Sequence, residues 1–546
     1  MLKPRVSRVV FSTGIAPSES EYFDEINAYR KKTLWLLLLF ISRTMIAAGG
    51  GVQMTYYTII NDIEGICYIP EFNNTNWTYY EIAKITTEYG QNSSARLNTC
   101  EYFDLDYNEF AKISFNEALK LKEGMSLNKV KTCFGGYILL SDLSSKYHTV
   151  DTPFCHAREI AKRMSLLSSG PYVVSCIFFG FLADLFGRKI IATITTILWI
   201  FCAFCSVIVP SISIAQLILF SASRFFQIAA DLVTYVNLLE ICHKKIRFLT
   251  VLTLYGYTIG FLICTRFADH LNFSWTYLQY ISFSFALFAL FHCFYVPESP
   301  RWLINKSKYK EALKVMEEII GYVPNEILFE DEGSETPFSC QIFWDMSKYL
   351  RKRKIKIVII LAIIGVIIGF VYQTQVWRVM ETDFPLKATI VAASADLLSL
   401  PYALIVYAAL GKKYGLFWTF ISLNFTSFVT LCLHDTSSID VYANAILILN
   451  AVTARKFLLS FLPDLLPTFL RCSGLGIACS MQSLMETITV AFIDWQISSI
   501  SGRSQKFHIY NIFNILVTRI FCSQVARYNS CRFANSTIIQ NVNCVY

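Results

Sequence analysis

Charge placed inside apolar runs is the chemistry this sequence offers. Gly180-Phe-Leu-Ala-Asp184-Leu-Phe-Gly187-Arg188-Lys189 joins two such runs through a very short cationic turn. Gly180 would let one helix approach a neighbour closely. Asp184 falls at a helix end and needs a partner, while Arg188 and Lys189 hold the turn on the cytoplasmic side. The plainer reading is a positive-inside anchor with an incidental aspartate. Arg43, Arg224, Asp231, Asp396 and Glu486 also lie within apolar runs. An ionisable group there is costly, so each is expected to face a cavity or a partner. Asp231 stands two turns beyond Arg224 on one helix face, either as a cavity acid or as the partner of Arg224. Arg43 could pair with the acids or line a pore. Arg455 and Lys456, near the end of their run, are expected to snorkel. No metal-ligand cluster, nucleophile elbow or phosphate loop is present, so neither an enzyme nor a cofactor is indicated.

The elements that must position these residues are spanning helices. The chain has 546 residues, 54% hydrophobic, with a mean hydropathy of +0.45. Apolar runs of about 20 residues at that density predict an all-α polytopic membrane protein. The net charge of +8 sits in short loops, where it sets topology and gives no nucleic-acid signal. Residues 1–32 read as a cytoplasmic arm, and the first span as an uncleaved anchor. Spans are expected at about 33–59, 166–184, 190–209, 213–240, 249–267 and 276–296, making a first half over 33–296. A linker over 297–354 follows, lysine-rich and cytoplasmic, with an amphipathic helix from Lys310 to Ile320. The second half, 355–527, has spans at about 355–376, 388–410, 416–434, 440–462 and 473–496, then a tail over 528–546. Its twelfth run, Ile509 to Cys522, holds Arg519 and is short for a span.

Between the first two spans lies a hydrophilic segment, about 62–160, carrying Cys67, Cys100, Cys133 and Cys155 and acceptor sequons at Asn73, Asn76 and Asn92. Four cysteines and three sequons together predict an extracellular, glycosylated segment with two disulfides, in any of three pairings. Six helices, a basic linker and about six more form the two-halved layout of many secondary carriers.

The Gly180–Lys189 stretch resembles the loop between helices 2 and 3 of the major facilitator superfamily. More narrowly, the cysteine-bearing loop, the Cys155 segment, Pro297-Glu298-Ser299-Pro300-Arg301-Trp302-Leu303 and Asp464-Leu-Leu-Pro-Thr-Phe-Leu-Arg471 resemble the organic cation and anion transporter family, solute carrier family 22. The resemblance covers about residues 33–497. Sugar porters carry a string like Pro297 to Leu303 but keep the first loop short. Two family features are absent: Gly411-Lys-Lys-Tyr-Gly415 lacks the acid of the corresponding second-half loop, and the Pro-Glu-Thr string after the last helix is missing.

The resemblance implies two six-helix halves that carry a small organic ion by alternating access in the plasma membrane, a cation before an anion, with a coupling ion left open. It implies a cytoplasmic gate of Gly180, Asp184, Gly187, Arg188, Lys189, Glu240, Arg247, Glu298, Arg301, Asp464 and Arg471. Arg224 matches the superfamily's Arg-x-x-Gln pattern in helix 4. The family's charged helix-11 position falls on Ser483, with Glu486 one turn away. A helix-8 acid falls on Ser399, with Asp396 one turn away, and Tyr372 matches a helix-7 tyrosine. A sugar-porter-like carrier of a neutral solute and a non-transporting receptor on the same fold stay open as alternatives.

Overall fold

The computed structural model describes residues 33–62, 65–73, 75–87, 101–124, 130–132, 137–139, 149–150, 153–209, 214–242, 246–270, 275–306, 308–320, 359, 363, 365–369, 385–432 and 437–499. Tyr372, Cys100, Cys133, Asn92 and the run 509–522 lie outside these residues, as does the side chain of Cys155.

Helices dominate. In the first half α1 (Thr33–Asp62) leads into a small folded segment, followed by α5 (Pro153–Phe186), α6 (Arg188–Ile208), α7 (Ile214–Ile241), a 3-10 stretch (Arg247–Tyr255) continued by α8 (Gly256–His270), and α9 (Trp275–Tyr295). The linker begins with α10 (Pro300–Asn305) and α11 (Tyr309–Ile320). The second half holds α12 (Pro385–Cys432), α13 (Ser437–Leu465) and α14 (Arg471–Ser499). At Gly411 φ is +71°, so α12 is two helices joined by a turn that favours glycine.

Two features differ from the sequence expectation. The second span begins well before residue 166, because α5 extends to Pro153 and so includes Cys155. The segment after α1 holds short strands, so the chain is not helical throughout. Strands β1 (Gly65–Cys67), β4 (Tyr137–Leu139) and β5 (Thr149–Val150) form one antiparallel sheet, and β2 (Glu101–Phe103) pairs with β3 (Val130–Thr132). Helices α2 (Tyr79–Thr86), α3 (Tyr107–Phe110) and α4 (Phe115–Glu123) complete it over a core of Phe72, Ile82, Ile85, Tyr107 and Phe110. Cys67 is disulfide-bonded, and Asn73 and Asn76 are exposed.

Membrane burial explains which helices look like spans. Among the described residues, five segments are long and apolar enough to cross a bilayer, and Gly170–Phe186 and Gln279–Tyr295 are shorter apolar helices. Helix α7 falls outside both groups because it carries Arg224, Asp231 and Glu240. Apolar side chains such as Phe201, Phe291, Phe294, Ile405 and Phe425 point outward, where lipid replaces water.

Packing of α1 on α8 leaves no room for a side chain. A Cβ added at Gly260 would lie 2.2 Å from the Ala48 carbonyl oxygen, and one at Gly51 would lie 1.8 Å from the Tyr257 oxygen. Such backbone contact is how spanning helices gain dispersion energy when lipid removes the hydrophobic drive between them. Gly260→Ala is therefore expected to cost about 1–3 kcal/mol. Gly170→Ala, whose methyl meets nothing within 4 Å, should be neutral or slightly stabilising. Melting temperatures of the two purified variants in one detergent check this, and equal values would refute the packing argument.

Candidate functional site

A network of buried charge lies at the end of the bundle where α5 turns into α6. Gly187 takes φ +112°, which stops α5 and starts α6 one residue later. It also makes room for Glu298, whose carboxylate a Cβ there would meet at 2.5 Å. Glu298 accepts hydrogen bonds from the backbone N–H groups of Arg188 (2.9 Å) and Lys189 (3.1 Å), capping α6 with an anion. Lys189 thus contributes its backbone. Burial pushes the Glu298 carboxyl up from its ordinary range, against the pull of the Ser299 N–H and the Arg188 charge.

The Arg188 guanidinium, fully buried, meets Asp184 at 2.8 Å and Glu240 at 3.1 Å, and donates to the Thr468 carbonyl at 2.7 Å. Asp184 in turn accepts from the backbone N–H groups of Cys472 (3.3 Å) and Ser473 (2.8 Å) and from the Ser473 hydroxyl (2.7 Å). An acid from the first half therefore caps α14 of the second. Arg471 reaches back to Glu240 at 3.0 Å. Arg247 pairs with Asp464 at 2.6 Å, and Lys412 holds the other Asp464 oxygen at 2.7 Å. Lys412 belongs to the second-half loop that lacks an acid, so Asp464 supplies that charge from α13. Arg301 is buried and donates to the Glu240 carbonyl at 3.1 Å, and the Trp302 indole donates to the Asp184 carbonyl at 3.0 Å. Gly180 belongs here by packing: its missing Cβ would stand 2.8 Å from the Cys472 oxygen, as one at Gly476 would stand 2.3 Å from that of Cys176. Helices α5 and α14 thus touch backbone to backbone across the two halves.

Farther into the bundle, one open alternative is decided and one expectation is corrected. Asp231 pairs with Arg43, one of the partners left open, at 2.9 Å. Lys456 does not snorkel. It is buried, lies over the Tyr255 ring at 3.7 Å and approaches Asp396 at 3.6 Å. Its position on α13, eight residues before Asp464, leaves its stem about 12 Å from that helix end, too deep for the amine to reach a surface. Asp396 also accepts from the Thr258 hydroxyl, so it is a paired acid and not an open one. Ser399 is fully buried, bonding Tyr255 at 2.8 Å and the Asp396 carbonyl at 2.5 Å. Ser483 is buried too, its carbonyl accepting from Thr487 at 2.9 Å.

Arg224 and Glu486 are left with neutral hydrogen-bond partners. Arg224 donates to the Gly50 carbonyl (3.0 Å) and the Gln227 side chain (2.8 Å) and lies over Tyr257 at 5.8 Å. Glu486 is half-buried and accepts from the Gln482 amide at 3.0 Å. Sequence reasoning passed over Tyr255, Thr258, Ser473 and Lys412. Only Lys412, a basic residue in the second-half loop, carried a signal that could have been used. What this arrangement can do chemically is hold two helical halves together at one end and present charge between them; among the described residues no group could hold a metal.

Comparison with known proteins bears on the family and the fold. The sequence model of the sugar (and other) transporter family matches residues 136–529, past residue 497, where the resemblance was expected to end. Solute carrier family 22 member 2 of Mus musculus is 25% identical over 312 residues, 55% of this chain and 54% of its own length. The organic cation transporter protein of Drosophila melanogaster is 27% identical over 241 residues, 42% of this chain and 41% of its own. Solute carrier family 22 member 1 of Bos taurus is 25% identical over 329 residues, 57% and 56%. The chain thus spans about half the length of the curated relatives it matches. In fold it is similar to the proton:xylose symporter XylE of E. coli, with TM-score 0.53 at 16% identity over 89% of this chain and 95% of that one. It is equally similar to the human organic anion transporter MFSD10, with TM-score 0.53 at 10% identity over 93% and 100%. With a family match over most of its length and two helical halves joined by buried charge, the chain belongs to the sugar (and other) transporter family and has the major facilitator superfamily fold.

Proposed function

We propose that this chain is a secondary transporter that moves a small organic ion across the plasma membrane by alternating access, with the Asp184 end toward the cytoplasm. The observation that carries the proposal is the cap that Asp184 places on α14 of the opposite half. Its bonds, with Arg471–Glu240 and Arg247–Asp464, close one end of the bundle, as an outward-facing state requires. The disulfide at Cys67 supports an oxidising, extracellular setting for the segment after α1, where exposed Asn73 and Asn76 would accept glycans. The relatives named as organic cation transporters, and the Glu486 carboxylate with its single amide donor, support a cationic centre in the carried ion.

Asp184→Ala should shift the population toward the state open at the cytoplasmic end, because it strands Arg188 and uncaps α14. Losing one partner of a buried pair costs about 3–5 kcal/mol, more than the few kcal/mol that separate the states of such a carrier. Cys479, buried beside α5, is the reporter: in a background that keeps this cysteine alone, its labelling by an impermeant maleimide from the cytoplasmic side should rise. Unchanged labelling together with unchanged uptake would reject the latch.

Glu486→Gln should reduce uptake of an organic cation about tenfold or more while leaving the melting temperature within a few degrees. Accumulation of matched cationic and neutral analogues in proteoliposomes measures it. Equal loss for both analogues, or a preference of the wild type for the neutral one, counts against the cationic centre.

A further inference from the structure

The chain between α7 and α8 is wound in an unusual way. Nine residues, Arg247–Tyr255, form a 3-10 helix before the α-helical part begins at Gly256. Runs of that winding seldom exceed about three or four residues, because their hydrogen bonds are poorer than those of an α-helix. Local chemistry supports it here. The Thr250 hydroxyl donates to the Arg247 carbonyl and the Thr253 hydroxyl to the Thr250 carbonyl, both at 2.7 Å and both three residues back. The Gly256 N–H continues the series to the Thr253 carbonyl. In the α-helical spans the Thr44 and Thr453 hydroxyls reach four residues back instead, to Phe40 and Leu449. Thr250, Val251 and Thr253 are also β-branched, which lowers their preference for the α form.

The two ends of the stretch are held differently. Its inner end is fixed on α1 of the same half: a Cβ at Gly256 would stand 2.2 Å from the Thr44 carbonyl oxygen, and one at Gly260 2.2 Å from that of Ala48. Its other contacts reach the opposite half. Phe248 stacks on Tyr407 of α12 with ring centroids 3.8 Å apart and planes 7° apart, and Phe457 of α13 lies 5.2 Å away. Arg247 holds Asp464 at 2.6 Å, and the Tyr255 hydroxyl bonds Ser399 at 2.8 Å. Phe248 and Tyr255 are seven residues apart. At about 2.0 Å and about 120° per residue, three-residue winding sets them about 14 Å apart along the axis and about 120° apart around it. An α-helix would bring them to about 10.5 Å and nearly onto one face, since seven residues make almost two turns. Phe248 and Tyr255 therefore meet these partners together in one winding and not in the other.

We propose that Arg247–Tyr255 is a winding switch: a 3-10 helix while the two halves meet at the Asp184 end, an α-helix once they part. This rests on the alternating access read above and adds a moving part within the first half. Contacts with α12 and α13 hold the less favourable winding. When the halves separate, those contacts are gone and nothing offsets the poorer hydrogen bonds. With Gly256 fixed on α1, rewinding shortens the stretch by about 4 Å and draws Arg247 and Phe248 inward, away from Asp464 and Tyr407. Closing that end again needs the reverse change, so the stack and the ion pair re-form only on the 3-10 form.

Spin labels at Leu249 and Ile263, both exposed, read the winding directly in the full-length chain, in a background whose reactive thiols are replaced. As wound here the two positions lie about 24 Å apart along the axis, on faces about 80° apart, and α winding throughout brings them to about 21 Å and about 40°. The otherwise unaltered chain should give the longer distance in an electron–electron dipolar measurement. Phe248→Ala, which removes the stack, should shorten it by about 3–5 Å. Thr250→Ala with Thr253→Ala should shorten it likewise, and the two serine replacements, which keep the hydroxyls, should not. The shorter distance in the unaltered chain overturns the switch without any further variant. So does a distance unchanged by Phe248→Ala, or one that the alanine and serine pairs shift alike. Two outcomes separate the switch from the transport reading. Raised cytoplasmic labelling of Cys479 in Asp184→Ala, with the long distance kept, leaves the latch and removes the switch. Shortening in the Phe248 and threonine variants, with no accumulation of any organic ion in proteoliposomes, keeps the switch and removes transport.

Discussion

The Asp184 carboxylate is the constraint on which the rest of this structure depends. It is nearly inaccessible to water, and it satisfies three demands from two halves of the chain: the Arg188 charge in its own half, and the first backbone N–H groups and the Ser473 hydroxyl of α14 in the other. Burying an ion is justified energetically when its lone pairs are all used. Here they are used by a helix end, whose partial positive charge would otherwise be unpaired in a low-dielectric medium. Removing the carboxylate would therefore orphan a cation and a helix terminus together.

The same arrangement suits a device that must come apart. Asp184, Glu240 and Arg471 are reached from both halves, so separating the halves exposes all of them at once to water that can hydrate them. In the alternating access proposed above, the loss of buried bonds would be offset by the gain of hydration, and only the difference between them would separate the two states. Glu298 adds to this, because its bonds to the α6 amides fix the turn on which Arg188 rides. The linker beyond α9 is thus tied into the position of the arginine at the centre of the network, and Trp302 binds the last turn of α5 from the same linker.

How much of this was legible follows from how local each signal is. Asp184, Gly187, Arg188, Glu298 and Arg301 sit in short strings whose spacing already reflects a helix end, a left-handed glycine and a cap, so their joint position could be expected. The interior pairs could not be expected in the same way. Whether Asp231 turns to Arg43 or to Arg224 depends on the rotation of α7 about its own axis and on the height of α1 beside it, and neither leaves a trace in composition. Lys456 looked close enough to a helix end to reach water, but α13 continues to Leu465, two turns further, and Asp396 waits on α12. The strands between α1 and α5 went unforeseen because β1 to β5 are two or three residues each, too short for alternation to register.

A final consequence concerns where opposite charges stop cancelling. At the Asp184 end Asp184, Glu240 and Asp464 are each shared between halves, and one layer deeper Asp231 is answered by Arg43 within the first half and Asp396 by Lys456 within the second. Among the described residues, Arg224 and Glu486, at one height on the two halves, have neutral hydrogen-bond partners and no ion pair within 4 Å. A charge left open in a membrane interior is a cost the fold must offset elsewhere, and the backbone contacts of α1 with α8 and of α5 with α14 are where this fold gains it. Rigid packing at the walls therefore permits an unsatisfied layer at the centre, and a molecule that entered that layer would recover the stabilisation which the chain, alone, leaves unrealised.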